Sequence, residues 1–231
     1  MKKIISYFSV FEWILWIGSL IIITICFFAF KNTDYFYLIG SLIGATMIIF
    51  LAKANPIGQV LSIVFSLFYG VVSYGFRYYG EMITYLLMTM PIAIISLIVW
   101  LKNPFKGKKS EVEVYELKPK EYIVLTILGI VVTIVFYFIL KVLNTRNLIF
   151  STLSVFTSFL AVYLTMKRSR FFAIGYALND LVLIVLWLLA VKENPVYISM
   201  VVCFVTFLIN DTYSFINWTL IGKKQKKVDI E

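Results

Sequence analysis

Apolar positions in this chain form long runs and do not alternate. Eight stretches of mostly apolar residues lie near 14–30, 35–52, 57–76, 82–101, 122–143, 148–166, 171–190 and 196–220, parted by short segments that hold most of the Lys, Arg and Glu. A helix of about 20 residues crosses the hydrocarbon of a bilayer, and inside lipid only a backbone that satisfies its own hydrogen bonds is tolerated. The pattern predicts an all-α integral membrane protein with eight transmembrane helices. The first run follows Lys2 and Lys3, as a signal peptide would, but no small-residue cleavage site precedes Lys31, so it reads as helix 1.

Composition agrees. The 231 residues are 61% hydrophobic and 14% charged, which excludes a soluble globular domain of this length. The net charge of +9 would suggest nucleic acid in a soluble protein, but sixteen of the 21 Lys and Arg fall in alternate loops and the termini. By the positive-inside rule this places both termini and the 102–121 loop in the cytoplasm of a cell membrane, and no nucleic-acid partner is expected. The chain has no histidine, and Cys26 and Cys203 both sit inside apolar runs, so neither a metal site, a cofactor nor a disulfide is expected. The 102–121 loop mixes six Lys with four Glu and two Pro and reads as a solvated linker with no packed domain. Within it, Gly107-Lys108-Lys109-Ser110 lacks the upstream glycine of a phosphate-cradling loop.

A faint internal repeat organises the spans. Lys53, Ile57, Gly58 and Gln59 recur as Arg170, Ile174, Gly175 and Tyr176 at an offset of 117, and Trp100 recurs as Trp218 at 118. The implied organisation is an N-terminal extra helix within 1–34, a first triplet over 35–101, a loop and linking helix over 102–147, a second triplet over 148–220, and a basic tail from 221 to 231. Because four spans separate the triplets, they run parallel, which predicts a 3+1+3 carrier core with a substrate site where the repeats meet near midplane.

Polar residues inside the runs mark the candidate site. Gln59, Ser62, Ser66, Tyr69 and Ser73 draw one line along helix 3, and Ser151, Ser154, Ser158 and Thr165 another along helix 6. Such stripes serve helix packing as well as a pathway. Two Asn-Asp pairs, Asn179-Asp180 and Asn210-Asp211, say more, because a carboxylate at that depth costs roughly 2.5–3.5 kcal/mol and normally faces a wet cavity or a partner. Asp180 shares a helix face with Tyr176 and Trp187, and Asn210 with Tyr213 and Asn217. Carboxamides that pair with a planar amide, carboxylates that accept from ribose or balance a cation, and rings that stack on a heteroaromatic suit a nucleoside-like ligand. Candidate substrate-binding residues are therefore Gln59, Tyr176, Asn179, Asp180, Trp187, Asn210, Asp211, Tyr213 and Asn217. Asp180 and Asp211 in contact would also suit a paired-carboxylate intramembrane hydrolase. Pro91 predicts a kink in helix 4.

The chain resembles the Pnu-type vitamin transporters, whose best-known members carry nicotinamide riboside. The resemblance rests on Asn55-Pro56-Ile57-Gly58-Gln59, on Tyr78-Tyr79-Gly80-Glu81-Met82 through Trp100-Leu101-Lys102-Asn103, and on Phe207-Leu208-Ile209-Asn210 through Phe215-Ile216-Asn217-Trp218. It implies a homotrimer with a site in each protomer, no cofactor, no catalysis, and facilitated diffusion drawn inward by cytosolic phosphorylation of the vitamin. The chain departs from that pattern at the site. Phe171-Phe172 to Gly175-Tyr176 stand where the family has paired tryptophans at the start of helix 7, the end of helix 4 keeps Trp100 but has Leu97 one turn earlier, and acidic Asp180 and Asp211 follow the matched asparagines. Nicotinamide riboside is expected first, with thiamine or a deoxyribonucleoside as the alternatives.

Overall fold

The computed structural model describes residues 7–230, so Lys2, Lys3 and Glu231 of the expected termini lie outside the described residues. All eight expected runs are helices long and apolar enough to cross a membrane: α1 Val10–Ala29, α2 Tyr35–Ala52, α3 Ile57–Gly75, α4 Tyr79–Lys102, α5 Pro119–Val142, α6 Leu148–Met166, α7 Phe172–Val191 and α8 Ile198–Ile230.

Local chemistry sets the ends. Ser9 and Glu12 form a reciprocal capping box at the start of α1, and Asp34 accepts from the Tyr37 amide at the start of α2. Five helices end alike, on a left-handed residue followed by an amide that reaches back five residues: Lys31, Ala54, Arg77, Asn144 and Arg168, with Asn32 N–H on Phe27 O, Asn55 on Phe50, Tyr78 on Ser73, Thr145 on Leu140 and Ser169 on Leu164. This is the Schellman closure, made here without the usual glycine. The kink expected at Pro91 takes the form of a π-turn over Thr84–Thr89 just before it, with Met90 N–H donating to Tyr85 O.

Packing arranges α2, α3, α4, α6, α7 and α8 in a closed ring, each against its two neighbours, with α8 closing onto α2 and α4 meeting α6. Outside the ring α1 lies on α2 and α8, while α5 lies on α6 and the start of α4. At one end Trp100 Nε1 donates to Thr165 O of α6 (2.9 Å), Trp218 Nε1 donates to Leu51 O of α2 (2.7 Å), and the two buried indoles touch at 5.5 Å between centroids. Glycines permit two of the close crossings. A Cβ on Gly58 would meet Leu51 N at 2.8 Å, and one on Gly175 would meet Ala161 Cα at 2.8 Å.

The loop after α4 departs from the solvated linker expected of its composition. It forms a small antiparallel hairpin, β1 Pro104–Phe105 and β2 Lys108–Val112, turned by Lys106 and Gly107 at positive φ. It then runs as a strap across the helix ends. Val112 N–H donates to Ala54 O, Val114 N–H to Gln225 Oε1, and Tyr115 N–H to Arg168 O. The reason lies in α8, which continues about ten residues beyond the expected end at 220 and brings buried Gln225 to Glu111 and Val112. The Lys226 ammonium at 2.7 Å from Glu116 holds that exposed carboxyl below its usual range.

Candidate functional site

One cavity sits inside the ring. Its wall takes Met47, Ile48 and Leu51 from α2, Ser62, Phe65 and Ser66 from α3, Tyr85 and Thr89 from α4, Tyr176, Asn179 and Asp180 from α7, and Phe204, Phe207 and Asp211 from α8. Its volume is about 30 Å³, room for a water or two and not for a nucleoside. A solute of that size enters only when the helices part.

Asn179 is the most tightly held polar group. Its Oδ1 accepts from Thr157 (2.9 Å) and Ser158 (2.9 Å) and shares the Ser154 hydroxyl (3.2 Å) with Glu81 Oε2 (3.0 Å). With the oxygen committed to α6, the Nδ2 hydrogens are left for the cavity side. Thus the helix 6 stripe does not line the cavity; it orients the residue that does. Asp180 and Asp211 lie close enough for their carboxyl groups to interact, are 5% and 3% exposed, and each keeps one oxygen without a partner. The π-turn brings Tyr85 and Thr89 onto the wall, and rings surround the polar groups: Phe65 packs 5.7 Å from Tyr85 and 5.9 Å from Phe207. Gly44 seats that wall, since a Cβ there would come within 2.5 Å of Phe207 Cζ.

Of the nine candidate residues, the structure brings Tyr176, Asn179, Asp180 and Asp211 together. The others go elsewhere, for visible reasons. Trp187 is fully buried, its Nε1 on Tyr69 OH (3.0 Å), among Phe76, Tyr78 and Tyr197. The shared face of Asn210, Tyr213 and Asn217 turns away from the cavity toward α1 and α2: Asn210 Nδ2 donates to Ser19 (3.0 Å), Tyr213 OH to Glu12 (2.8 Å), and Asn217 Nδ2 to Ala52 O (2.8 Å). Gln59 is buried on α3 with Nε2 unpartnered, one turn from cavity-lining Ser62. Glu81, Tyr85, Phe65, Phe204 and Phe207 were not among the candidates. Glu81 was hidden by a helix start expected at 82, when α4 begins at Tyr79 and buries it. Cys, Asp and Glu side chains form no group of three or more that could hold a metal ion among the described residues.

A profile of the nicotinamide mononucleotide transporter family matches residues 34–220. The chain belongs to that family. Two curated relatives named nicotinamide riboside transporter PnuC are similar to it. The protein from Neisseria mucosa is 24% identical over 85% of this chain and 76% of its own, and that from Haemophilus influenzae is 22% identical over 96% of each. The fold matches a solved structure described as the crystal structure of the vitamin B3 transporter PnuC, with a TM-score of 0.83 at 23% identity, covering 94% of both chains. The chain is thus a multi-pass helical membrane protein of a transporter family.

Proposed function

We propose that this protein carries nicotinamide riboside across the plasma membrane by alternating access of the Asn179, Asp180 and Asp211 cavity. The single observation that carries the reading is the meeting, in one buried cavity, of a carboxamide, two carboxyls and a ring of aromatics. A ribosylated pyridinium presents the matching groups: an amide for Asn179, a positive ring for the carboxyls and aromatic faces, and hydroxyls for Ser62 and Ser66. The names of the relatives support the same substrate.

The carrier core is read as two parallel triplets, α2–α4 and α6–α8, joined by α5. The crossed grips support this, since Trp100 of the first triplet holds α6 and Trp218 of the second holds α2. Both termini lie in the cytoplasm, the protomers form a homotrimer, transport is downhill, and phosphorylation in the cytosol traps the product. Adjacent aspartates would also suit a hydrolase, but the aromatic wall and the family favour a carrier and not an enzyme. Proteoliposome uptake tests the reading. Saturable entry of labelled nicotinamide riboside should fall at least about tenfold in Asn179→Ala, the loss of one buried polar contact of about 1.4 kcal/mol or more. Uptake no faster than into empty vesicles would overturn it.

A further inference from the structure

At the strap end of α7, Arg170 is a cation with no counterion. Lys167, Arg168 and Lys226 near it each pair with a carboxylate. The Arg170 side chain makes no ion pair or hydrogen bond among the described residues; its Nε is buried without a partner and its guanidinium lies 5.1 Å from the Phe171 ring. A buried donor left unsatisfied costs about 1–3 kcal/mol, more when charged, so the position calls for an acceptor. Arg170 lines a pocket of about 210 Å³ with Ser169 and Phe171, with Tyr122 of α5, and with Tyr115 and Glu116 of the strap. Ser169 is buried and its oxygen accepts from the Phe171 amide (3.5 Å), which leaves its hydroxyl hydrogen to donate. The acid on the wall, Glu116, is held by Lys226 at 2.7 Å, and nearby Glu121 is held by Lys167 at 3.0 Å.

The next turns of α7 border an apolar groove. It measures about 180 Å³ and lies between Ala173, Ala177 and Leu181 of α7 and Thr212 and Phe215 of α8. Phe171 joins the two, since its ring lines the pocket and packs 5.9 Å from Phe215 of the groove. It shares a helix face with Ile174, Leu178 and Leu181, all exposed on the outer surface. From Ala173 to Leu181 the helix rises about 12 Å, most of the roughly 15 Å of hydrocarbon in one leaflet. A polar pocket at the helix end and an apolar groove along the helix match the two parts of a lipid. The planar guanidinium fits a phosphate better than any other side chain does. The exposed Lys118, Lys120, Lys223 and Lys224 of the same face favour an anionic one. We propose that this is a phospholipid site, where an anionic headgroup sets its phosphate on Arg170 and Ser169 and one acyl chain lies in the α7–α8 groove. Asp211 borders the groove as well as the ring cavity, so the chain seals the α7–α8 contact behind the carboxyls, whatever solute the cavity carries.

Native mass spectrometry tests it, with phosphatidylglycerol, phosphatidylcholine, glycerol phosphate and inorganic phosphate each titrated onto the purified, delipidated protein. Phosphatidylglycerol should bind at least about tenfold tighter than phosphatidylcholine. Arg170→Gln should erase that preference, and Arg170→Lys should keep part of it, because an ammonium retains the charge and loses the fork. Ala177→Leu, which fills the groove, should weaken phosphatidylglycerol binding and leave its preference over phosphatidylcholine. The wild-type comparison of the two lipids decides even if a variant misfolds. Equal binding of the two lipids, or a preference that survives Arg170→Gln, overturns the site. Glycerol phosphate or inorganic phosphate bound as tightly as phosphatidylglycerol overturns the lipid and leaves a site for soluble phosphate. A change of oligomeric state in Ala177→Leu with the lipid bound unchanged shows a second copy in the groove and overturns the acyl chain there.

Discussion

Asn179 shows how one side chain is made specific. Three hydroxyls from α6, those of Ser154, Thr157 and Ser158, donate to its oxygen, so a flipped amide would present N–H groups in place of the acceptor they share. Asn179→Leu should therefore cost about 1–3 kcal/mol of stability by stranding those hydroxyls, besides abolishing binding. A detergent-unfolding series with and without riboside separates the two losses. Asn210 was equally prominent in the sequence, yet its partner is Ser19 of α1, so Asn210→Ala should lower the melting temperature more than it lowers uptake. The two aspartates were legible because each lies mid-run, where polarity needs a reason. Glu12 and Glu81 were not, because helix starts expected at 14 and 82 left them in the flanks. α1 and α4 in fact begin three or four residues earlier and bury both, Glu12 against Lys53 at 3.1 Å.

Helix ends tell the same story from the backbone. Spans were readable from their apolar length, and α2 and α6 began and ended where expected, but four of the five left-handed closures use Lys31, Ala54, Arg77 and Arg168, residue types that carry no stop signal, and only Asn144 is of a type that does. Non-glycine residues pay for that conformation, roughly 1–2 kcal/mol each. Arg77 is exposed at such a closure, so Arg77→Gly should raise stability by about 1 kcal/mol, checked by thermal unfolding. The π-turn in α4 was not readable beyond Pro91 itself. It rotates Tyr85 and Thr89 onto the cavity, and Pro91 blocks the amide that a regular helix would need there. Pro91→Ala should let the turn rewind, swing Tyr85 off the wall, and weaken riboside binding with no loss of thermal stability. Unchanged affinity would show that the turn does not set the wall.

Taken together, the ring and its strap make the two membrane faces unequal. On one side the strap bonds Ala54 behind α2, Arg168 behind α6 and Gln225 on α8. Gln225→Ala removes its three bonds to the strap at once, to Val114, Glu111 and Val112, and should expose 104–118 to protease and speed amide exchange at Val114, with uptake kinetics changed in the step that opens the strap face. Beside the strap two tryptophans whose rings touch tie neighbouring helices, Trp100 of α4 to a carbonyl of α6 and Trp218 of α8 to a carbonyl of α2. Two crossed grips in contact act as an axle. Sliding α4 past α6, or α8 past α2, would break an indole bond, whereas tilting about the contact would keep both, so a small rotation at the strap end would become a wide swing at the far mouth, a short stroke on one face geared into a long one on the other.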